Sequence, residues 1–158
     1  MDNLSENRII VGCDLNVAAP AGEIFPLLCP VREYDWIEHW RCQVIFANSG
    51  AAENNCIFTT DRTGEGRRTW VVSRYEPPKA IEFVIFQQNS AVIRLDLYLS
   101  ETGDGATRVR VTHTITALNP EGVAAMVNLD PEGIRTRWQG LERALNHYLK
   151  TGACLQER

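Results

Sequence analysis

The side chains best suited to chemistry are concentrated in one short stretch, residues 34–40, which reads Tyr-Asp-Trp-Ile-Glu-His-Trp. If this stretch forms a helical turn, Trp36 and Trp40 share one face and can stack on an apolar ligand. The polar side chains between them would then orient that ligand. The alternative is that the aromatic rings close one end of a core while the charges face water.

Three titratable side chains of this stretch are candidates for acid–base catalysis. Asp35 and Glu38 lie three positions apart, so a helical turn would bring the two carboxylates together. Such a pair can act as acid and base only if burial shifts its pKa values. His39, next to Glu38, is the third candidate. The sequence does not reveal burial, so the alternative that all three face solvent stays open.

A further candidate is His113, in a segment (residues 108–116) where apolar and polar residues alternate. The alternation places His113 on the apolar face of a strand, together with Val109, Val111 and Ile115. An imidazole on such a face needs a hydrogen-bond partner. It is therefore either a core histidine satisfied by a hydroxyl or carbonyl group, or an acid or base inside a pocket.

Other kinds of site lack a supporting motif. His39, His113 and His147 are far apart, and no H-x-x-x-H, H-E-x-x-H or C-x-x-C pattern occurs, so no metal site is predicted. There is also no G-x-S-x-G motif, no phosphate-binding loop and no dinucleotide-binding glycine pattern. No cofactor is therefore predicted.

The composition is that of a globular chain and narrows the choice of partners. The 158 residues are 44% hydrophobic and 23% charged, enough for the core of one domain over residues 1–158. A net charge of −4 argues against nucleic acid, and the adjacent pair Arg67-Arg68 is expected on a solvated strand or loop. No apolar run is long enough for a signal peptide or a membrane span. Five widely spaced cysteines favour buried thiols in a reducing cytoplasm.

The clearest element that could position these candidates is an amphipathic helix near the end of the chain. Its apolar residues recur three or four positions apart, while most of its polar residues fall on the opposite side. The apolar stripe consists of Ile134, Trp138, Leu141, Leu145, Tyr148 and Leu149. Asn119-Pro120 and Asp130-Pro131 each signal a helix start, and Gly152 signals a stop. The pattern predicts a short helix, a break at Pro131 and a longer helix.

The preceding part of the chain predicts a sheet. A strand over residues 8–17 is followed by a short helical piece over residues 23–28. Six more strands are joined by turns too short for parallel crossovers, so the sheet is antiparallel. They are predicted at 42–47, 56–61, 67–75, 80–87, 91–99 and 108–116. A long helix cannot touch a strongly bent sheet along its whole length, so a ligand cavity is expected between them.

This layout resembles the helix-grip fold of the START-like (SRPBCC) superfamily, which includes polyketide cyclases, aromatase-cyclase domains and pollen-allergen-like proteins. The run over residues 29–40 and the ending Gly-Leu-Glu-Arg-Ala-Leu-Asn-His-Tyr-Leu (140–149) are similar to an uncharacterised bacterial branch. The resemblance implies an α+β fold, with a curved antiparallel sheet of about seven strands around a long C-terminal helix. It also implies two short helices after the first strand. It implies no shared catalytic motif, because members bind apolar ligands, cyclise or dehydrate polyketides, or contact proteins.

The sequence therefore favours a cytoplasmic protein that binds a hydrophobic, aromatic or polyketide-like small molecule between sheet and helix. The expected pocket residues are Trp36, Trp40, Phe58, Trp70, Phe83, His113, Met126 and Trp138. One alternative is a polyketide cyclase- or dehydratase-like enzyme with His113, His39 or Glu38 as acid–base groups. Another is a protein-interaction module with an exposed apolar patch. Assembly into a homodimer also stays open.

Overall fold

The computed structural model describes residues 4–64 and 66–157, and its main element is one antiparallel sheet in the order β1-β7-β6-β5-β4-β3-β2. The strands are β1 Arg8–Val17, β2 Gln43–Phe46, β3 Ile57–Arg62, β4 Gly66–Glu76, β5 Ala80–Gln87, β6 Ala91–Glu101 and β7 Thr107–Ala117. Consecutive strands pair from β2 to β7, and β1 closes the sheet by pairing with β7. The seven antiparallel strands predicted from the sequence are confirmed, with ends that differ by one or two residues.

In the part of the chain that the structure describes, three α-helices accompany the sheet: α1 Ala21–Ile24, α2 Pro120–Val127 and α3 Pro131–Thr151. Single 3-10 turns at Leu4–Asn7, Phe25–Leu28 and Glu33–Asp35 complete the regular structure. The helix-grip architecture implied by the resemblance is thus confirmed, including short helical pieces after β1 and a long helix at the C-terminal end.

The predicted signals act as expected at the starts of α2 and α3 and at the end of α3. The Asn119 side chain accepts a hydrogen bond from the Gly122 N–H at 2.8 Å, and Asp130 accepts one from Glu132 at 3.1 Å. Gly152 ends α3 in the left-handed conformation, at φ 72°. Gly122 is required by packing, because a Cβ there would lie 2.1 Å from the carbonyl oxygen of Ser90. The first turn of α2 therefore lies directly on the β5–β6 turn.

The inner face of the sheet carries the core in register rows that cross the strands. In one row His113 pairs with Val11 on one side and Leu95 on the other, and Leu95 pairs with Phe83. In the next row Ile85 pairs with Trp70, and Trp70 with Phe58. Trp138 of α3 reaches the first of these rows at His113, so a molecule between helix and sheet would touch side chains of these rows.

The polar side of α3 covers the free edge of β1. Asn146 accepts a hydrogen bond from the Ala18 N–H at 2.8 Å and donates one to the Asn16 carbonyl at 2.9 Å. Glu142 accepts from the Asn16 N–H at 2.8 Å, and the Arg135 Nε donates to the Gly12 carbonyl at 3.2 Å. An uncovered strand edge invites pairing with other chains, so these side chains both attach the helix and protect the edge.

Candidate functional site

Three aromatic rings of the inner face form one cluster. The Phe58 and Trp70 rings stack with centroids 5.2 Å apart, and Phe83 meets both rings edge-on at 6.1 and 5.6 Å. The Trp70 indole N–H donates to the hydroxyl of Thr60 at 2.9 Å, which fixes the ring and satisfies its polar atom. The structure thus brings together three of the eight predicted pocket residues, from three neighbouring strands.

A second pair of predicted residues connects the sheet to α3. The Trp138 indole N–H donates to Nε2 of His113 at 2.7 Å, with the two rings 5.8 Å apart and inclined at 62°. Because Nε2 accepts this bond, a neutral His113 must carry its proton on Nδ1. Among residues 4–64 and 66–157, no group accepts a hydrogen bond from that Nδ1–H, and this nitrogen is not one of the fully buried atoms left without a partner. His113 therefore has one unused donor.

The electrostatic surroundings keep His113 neutral. Burial, together with the positive charges of Arg137 and Arg68, lowers its pKa from the ordinary 6.5 to about 4. At neutral pH the imidazole is uncharged, and its one lone pair is occupied by the Trp138 indole. In this arrangement His113 is a hydrogen-bond donor rather than a general base. Its partner is an indole N–H, not the hydroxyl or carbonyl group considered from the sequence.

The two arginines that act on His113 were not predicted as site residues. Arg68 pairs in register with Thr60 on β3 and Gln87 on β5, and its Nη2 donates to the Gln87 side chain at 3.3 Å. It is partly buried, which corrects the expectation of a solvated basic pair; only its neighbour Arg67 is exposed. Arg137 precedes Trp138 on α3 and is also partly buried.

The spacing of the sequence does contain a signal for both arginines. Arg68 is two positions from Trp70 on the same strand, and therefore on the same face. Arg137 follows Ile134 by three positions and precedes Leu141 by four, which places it beside the apolar stripe of α3. Arginine side chains are usually expected to face solvent because they are charged, but the positions of Arg68 and Arg137 in the sequence favoured the inner face.

Burial of the inward-facing residues changes along β7. The inward-facing Val111 is 0% exposed, whereas His113 is 9% and Ile115 8% exposed. On the helix, Leu145 is 2% exposed, but Trp138, two turns earlier, is only partly buried. Leu145 is the fully buried side chain of α3, and the apolar side chains before and after it on the helix are partly buried. We call the region between Trp138 on α3 and the inner-face side chains of His113, Trp70 and Phe83 the gap; Phe58, which stacks on Trp70, is 1% exposed and lies in the core.

Trp36 and Trp40 lie in the corner formed by the short helical pieces. The Trp36 indole donates to the Leu27 carbonyl and the Trp40 indole to the Pro30 carbonyl, each at 2.8 Å. Trp36 is 2% exposed, so it packs within the core of this corner. Met126 lies in α2, partly buried against the core. Contact of these three residues with a ligand stays a prediction.

The other acid–base candidates do not lie in the gap. The His39 side chain is 88% exposed, and its Nε2 lies 3.6 Å from the Glu38 carboxylate. Glu38 also accepts a hydrogen bond from the Glu157 N–H at 2.9 Å. Asp35 forms an ion pair with Arg32 at 2.8 Å instead of approaching Glu38. The residues of the predicted carboxylate pair therefore have separate partners.

A carboxyl group that sequence reasoning missed lies in the same corner. Burial raises the pKa of Glu33 to about 8, so the group is largely protonated at neutral pH. Its charge in turn raises the pKa of the neighbouring Cys42 thiol, although burial is the larger cause there. A carboxyl group with a strongly shifted pKa is common at functional sites and also occurs at positions with a purely structural role. The sequence showed only an acid between polar neighbours, with no sign of burial.

The described residues form no metal site, and a surface cleft lies away from the predicted pocket residues. Within the described residues, no three histidine, cysteine, aspartate or glutamate side chains come together so that they could hold a metal ion. A surface cleft of about 460 Å³ lies where β1 meets the end of α3. It is lined by Asn16, Val17, Ala18, Ala106, Asn146, Leu149 and Lys150. None of the eight predicted pocket residues lines this cleft.

Comparison with known proteins gives matches in structure only. No family model and no curated protein matches the chain. Norcoclaurine synthase from Thalictrum flavum superposes with a TM-score of 0.66 at 12% identity, over 89% of this chain and 96% of that one. Ara h 8.0201 gives a TM-score of 0.63 at 14% identity, over 91% and 99%.

DynU16, a protein of the dynemicin biosynthetic locus, superposes with a TM-score of 0.65 at 19% identity. The match covers 91% of this chain and 48% of DynU16, so the chain spans about half the length of that protein. At these identities the likenesses establish the fold alone, which is the helix-grip fold expected from the sequence. No described helix is long and apolar enough to cross a membrane.

Proposed function

We propose that this protein binds a small apolar molecule, aromatic or polyketide-like, in the gap between α3 and the inner face of the sheet. The observation that carries the proposal is the change in burial along β7, from 0% exposed at Val111 to 9% at His113. This residual exposure coincides with a partly buried Trp138 on the helix above. Apolar walls with a few oriented polar groups are typical of small-molecule sites.

The aromatic cluster supports the same proposal. Phe58, Trp70 and Phe83 present fixed ring faces and edges, which suit a flat apolar ligand. The structural likenesses to norcoclaurine synthase and DynU16 are consistent with a small organic molecule as the ligand. Five free thiols within the described residues support a reducing compartment, and we therefore propose a cytoplasmic protein.

A binding experiment with matched variants tests the proposal. N-phenyl-1-naphthylamine, an uncharged apolar probe, should bind the protein with a rise in probe fluorescence and a change in tryptophan emission. Ile115→Phe adds bulk to the inner face beside the gap, and Thr114→Phe adds the same kind of ring to the outer face of the same strand. We expect Ile115→Phe to weaken probe binding at least tenfold, with little effect from Thr114→Phe. Equal binding to both variants would contradict the proposal.

Catalysis is the second candidate function, and one observation favours it. A neutral His113 that accepts the Trp138 bond at Nε2 keeps a donor at Nδ1, which could polarise a carbonyl oxygen of a bound substrate. The proton-accepting partner of such a reaction is not supplied by His113, whose lone pair is occupied. Incubation with linear polyketide-type and carbonyl substrates, followed by mass spectrometry, tests this candidate. Turnover that is abolished by His113→Gln would support it, and turnover that is unchanged would exclude this residue.

A further inference from the structure

We propose that the outer face of the sheet carries an interface at which two copies of this chain pack together as a symmetric dimer. The shared surface, which we call the outer patch, extends over β2, β3, β4 and β5. It consists of Ile45, Phe46, Ile57, Val71, Val84 and Phe86. The inference does not depend on a ligand, because the gap lies on the opposite face of the sheet.

The strand register brings these side chains together. Phe46 pairs with Ile57, Ile57 with Val71, and Val71 with Val84, so one apolar row crosses four neighbouring strands. Successive residues of a strand point to opposite faces, and Phe58, which follows Ile57, lies in the core. The row therefore faces outwards. None of its four members is among the side chains that pack against the described core.

Exposure is high where β2 forms the free edge of the sheet. The register between β2 and β3 shifts between Val44 and Phe46, which marks a β-bulge at Ile45. A bulge re-aims side chains, and Ile45 and Phe46 are 53% and 55% exposed. Phe86, two positions after Val84 on β5, is 44% exposed. Three large apolar side chains of the outer patch are thus left in solvent.

The size of the outer patch fits an interface between proteins. A standard interface buries about 800 Å² on each partner, of which a little over half, roughly 450 Å², is apolar. Phe46 and Phe86 are each about half exposed, so they supply on the order of 200 Å² of apolar surface. The other four side chains bring the outer patch to the order of 400 Å², a size at which apolar patches often mark interaction sites.

The charges around the outer patch favour a second copy of the chain as the partner. In a two-fold interface each surface meets its own kind, so an unpaired charge near the axis faces a like charge. The six side chains of the outer patch are uncharged. Its central row ends on β6 at Arg94, which is paired with Asp96 at 3.1 Å, and Arg74 on β4 is paired with Glu76 at 2.8 Å. Two chains that each carry a net charge of −4 can therefore meet here with little repulsion.

Sedimentation equilibrium and light scattering of the full chain test the inference. At about 100 µM, well above the micromolar Kd of weak standard-size interfaces, we expect a mass twice that of one chain. Phe46→Glu and Phe86→Glu should each weaken the dimer at least about tenfold, because an unpaired charge is costly to bury. Circular dichroism reports whether each variant is folded. If one of the two variants does not fold, the other gives an independent reading.

Ile10→Glu is the matched control. Ile10 is 64% exposed on the same face of the sheet, but it lies on β1, three strands from Val84 along the same register row. The variant adds the same charge as Phe46→Glu and should leave the dimer unchanged. A dimer that persists in Ile10→Glu and is lost in Phe46→Glu and Phe86→Glu supports the inference.

The other outcomes overturn it. A chain that stays monomeric at about 100 µM has no such interface, and a dimer that survives both Phe46→Glu and Phe86→Glu forms through another surface. Loss of the dimer in Ile10→Glu as well would show that added charge, and not the outer patch, controls assembly. A monomer that binds phosphatidylcholine vesicles, with binding lost in Phe46→Glu, would assign the outer patch to a lipid surface instead of a second copy.

Discussion

The environment of His113 predicts a specific dependence of stability on pH. The unfolded imidazole has a pKa near 6.5, and burial with two nearby arginines lowers it to about 4 in the folded protein. Between these values the unfolded chain binds a proton that the folded chain does not. The contribution of His113 to stability is therefore fully present above about pH 6.5 and is lost as the pH falls towards 4.

The size of this effect follows from the pKa difference. At about 1.4 kcal/mol per pKa unit, a fall from 6.5 to about 4 corresponds to about 3.5 kcal/mol in total, most of which is lost between pH 6.5 and 4. His113→Gln keeps an acceptor for the Trp138 indole but removes the titrating group. We expect its free energy of unfolding to change about 3 kcal/mol less between pH 6.5 and 4 than that of the unmodified protein.

Urea denaturation at a series of pH values, followed by circular dichroism, measures the difference. His39→Gln is the matched control, because the His39 side chain is 88% exposed, and it should leave the pH profile unchanged. An NMR titration of His113 gives the folded pKa directly. Parallel pH profiles for His113→Gln and the unmodified protein, or a folded pKa near 6.5, would refute the reasoning.

Three further predictions concern the corner, the β1 edge and α2. Burial raises the pKa of Glu33 to about 8, so the free energy of unfolding should fall as the pH rises from about 4.5 to 8. In the same denaturation assay, Glu33→Gln should be more stable than the unmodified protein at pH 8 but not at pH 4. Asn146→Ala should cost about 1–2 kcal/mol in urea unfolding, because two backbone groups of β1 lose their partners; a cost near zero would show that water replaces them. Gly122→Ala should destabilise by about 1–3 kcal/mol, because its Cβ meets the Ser90 carbonyl. Gly140→Ala on α3 should instead stabilise by up to about 1 kcal/mol, because its Cβ would make only an ordinary contact with the Arg143 side chain at 3.7 Å. Equal melting temperatures for these two glycine variants would contradict the packing of α2 on the β5–β6 turn.

The fold could be predicted from the sequence because each element has a local signal. Alternation gave β6 and β7, the proline-containing caps gave the starts of α2 and α3, and Gly152 gave the end of α3. The inward position of His113 followed from the same alternation. These features are local patterns of residue types, and each of them can be recognised within a single segment of the chain.

The partners of the site residues could not be predicted in this way. The bond between Trp138 and His113 joins residues 25 positions apart and depends on how α3 crosses β7. The polar side of α3 was expected to face solvent, but Arg135, Glu142 and Asn146 bind the β1 edge. The burial of Glu33 likewise arises from the chain folding around it, which no pattern in residues 29–40 expresses.

The central claim is that a ligand lies between α3 and the inner face of the sheet. A crystal structure of the protein soaked with N-phenyl-1-naphthylamine tests it most directly. The account predicts ligand density between Trp138 and Trp70, within contact of the His113 ring. Density confined to the surface cleft beside Asn16 and Lys150, with α3 packed against the sheet and no space beside His113, would contradict it.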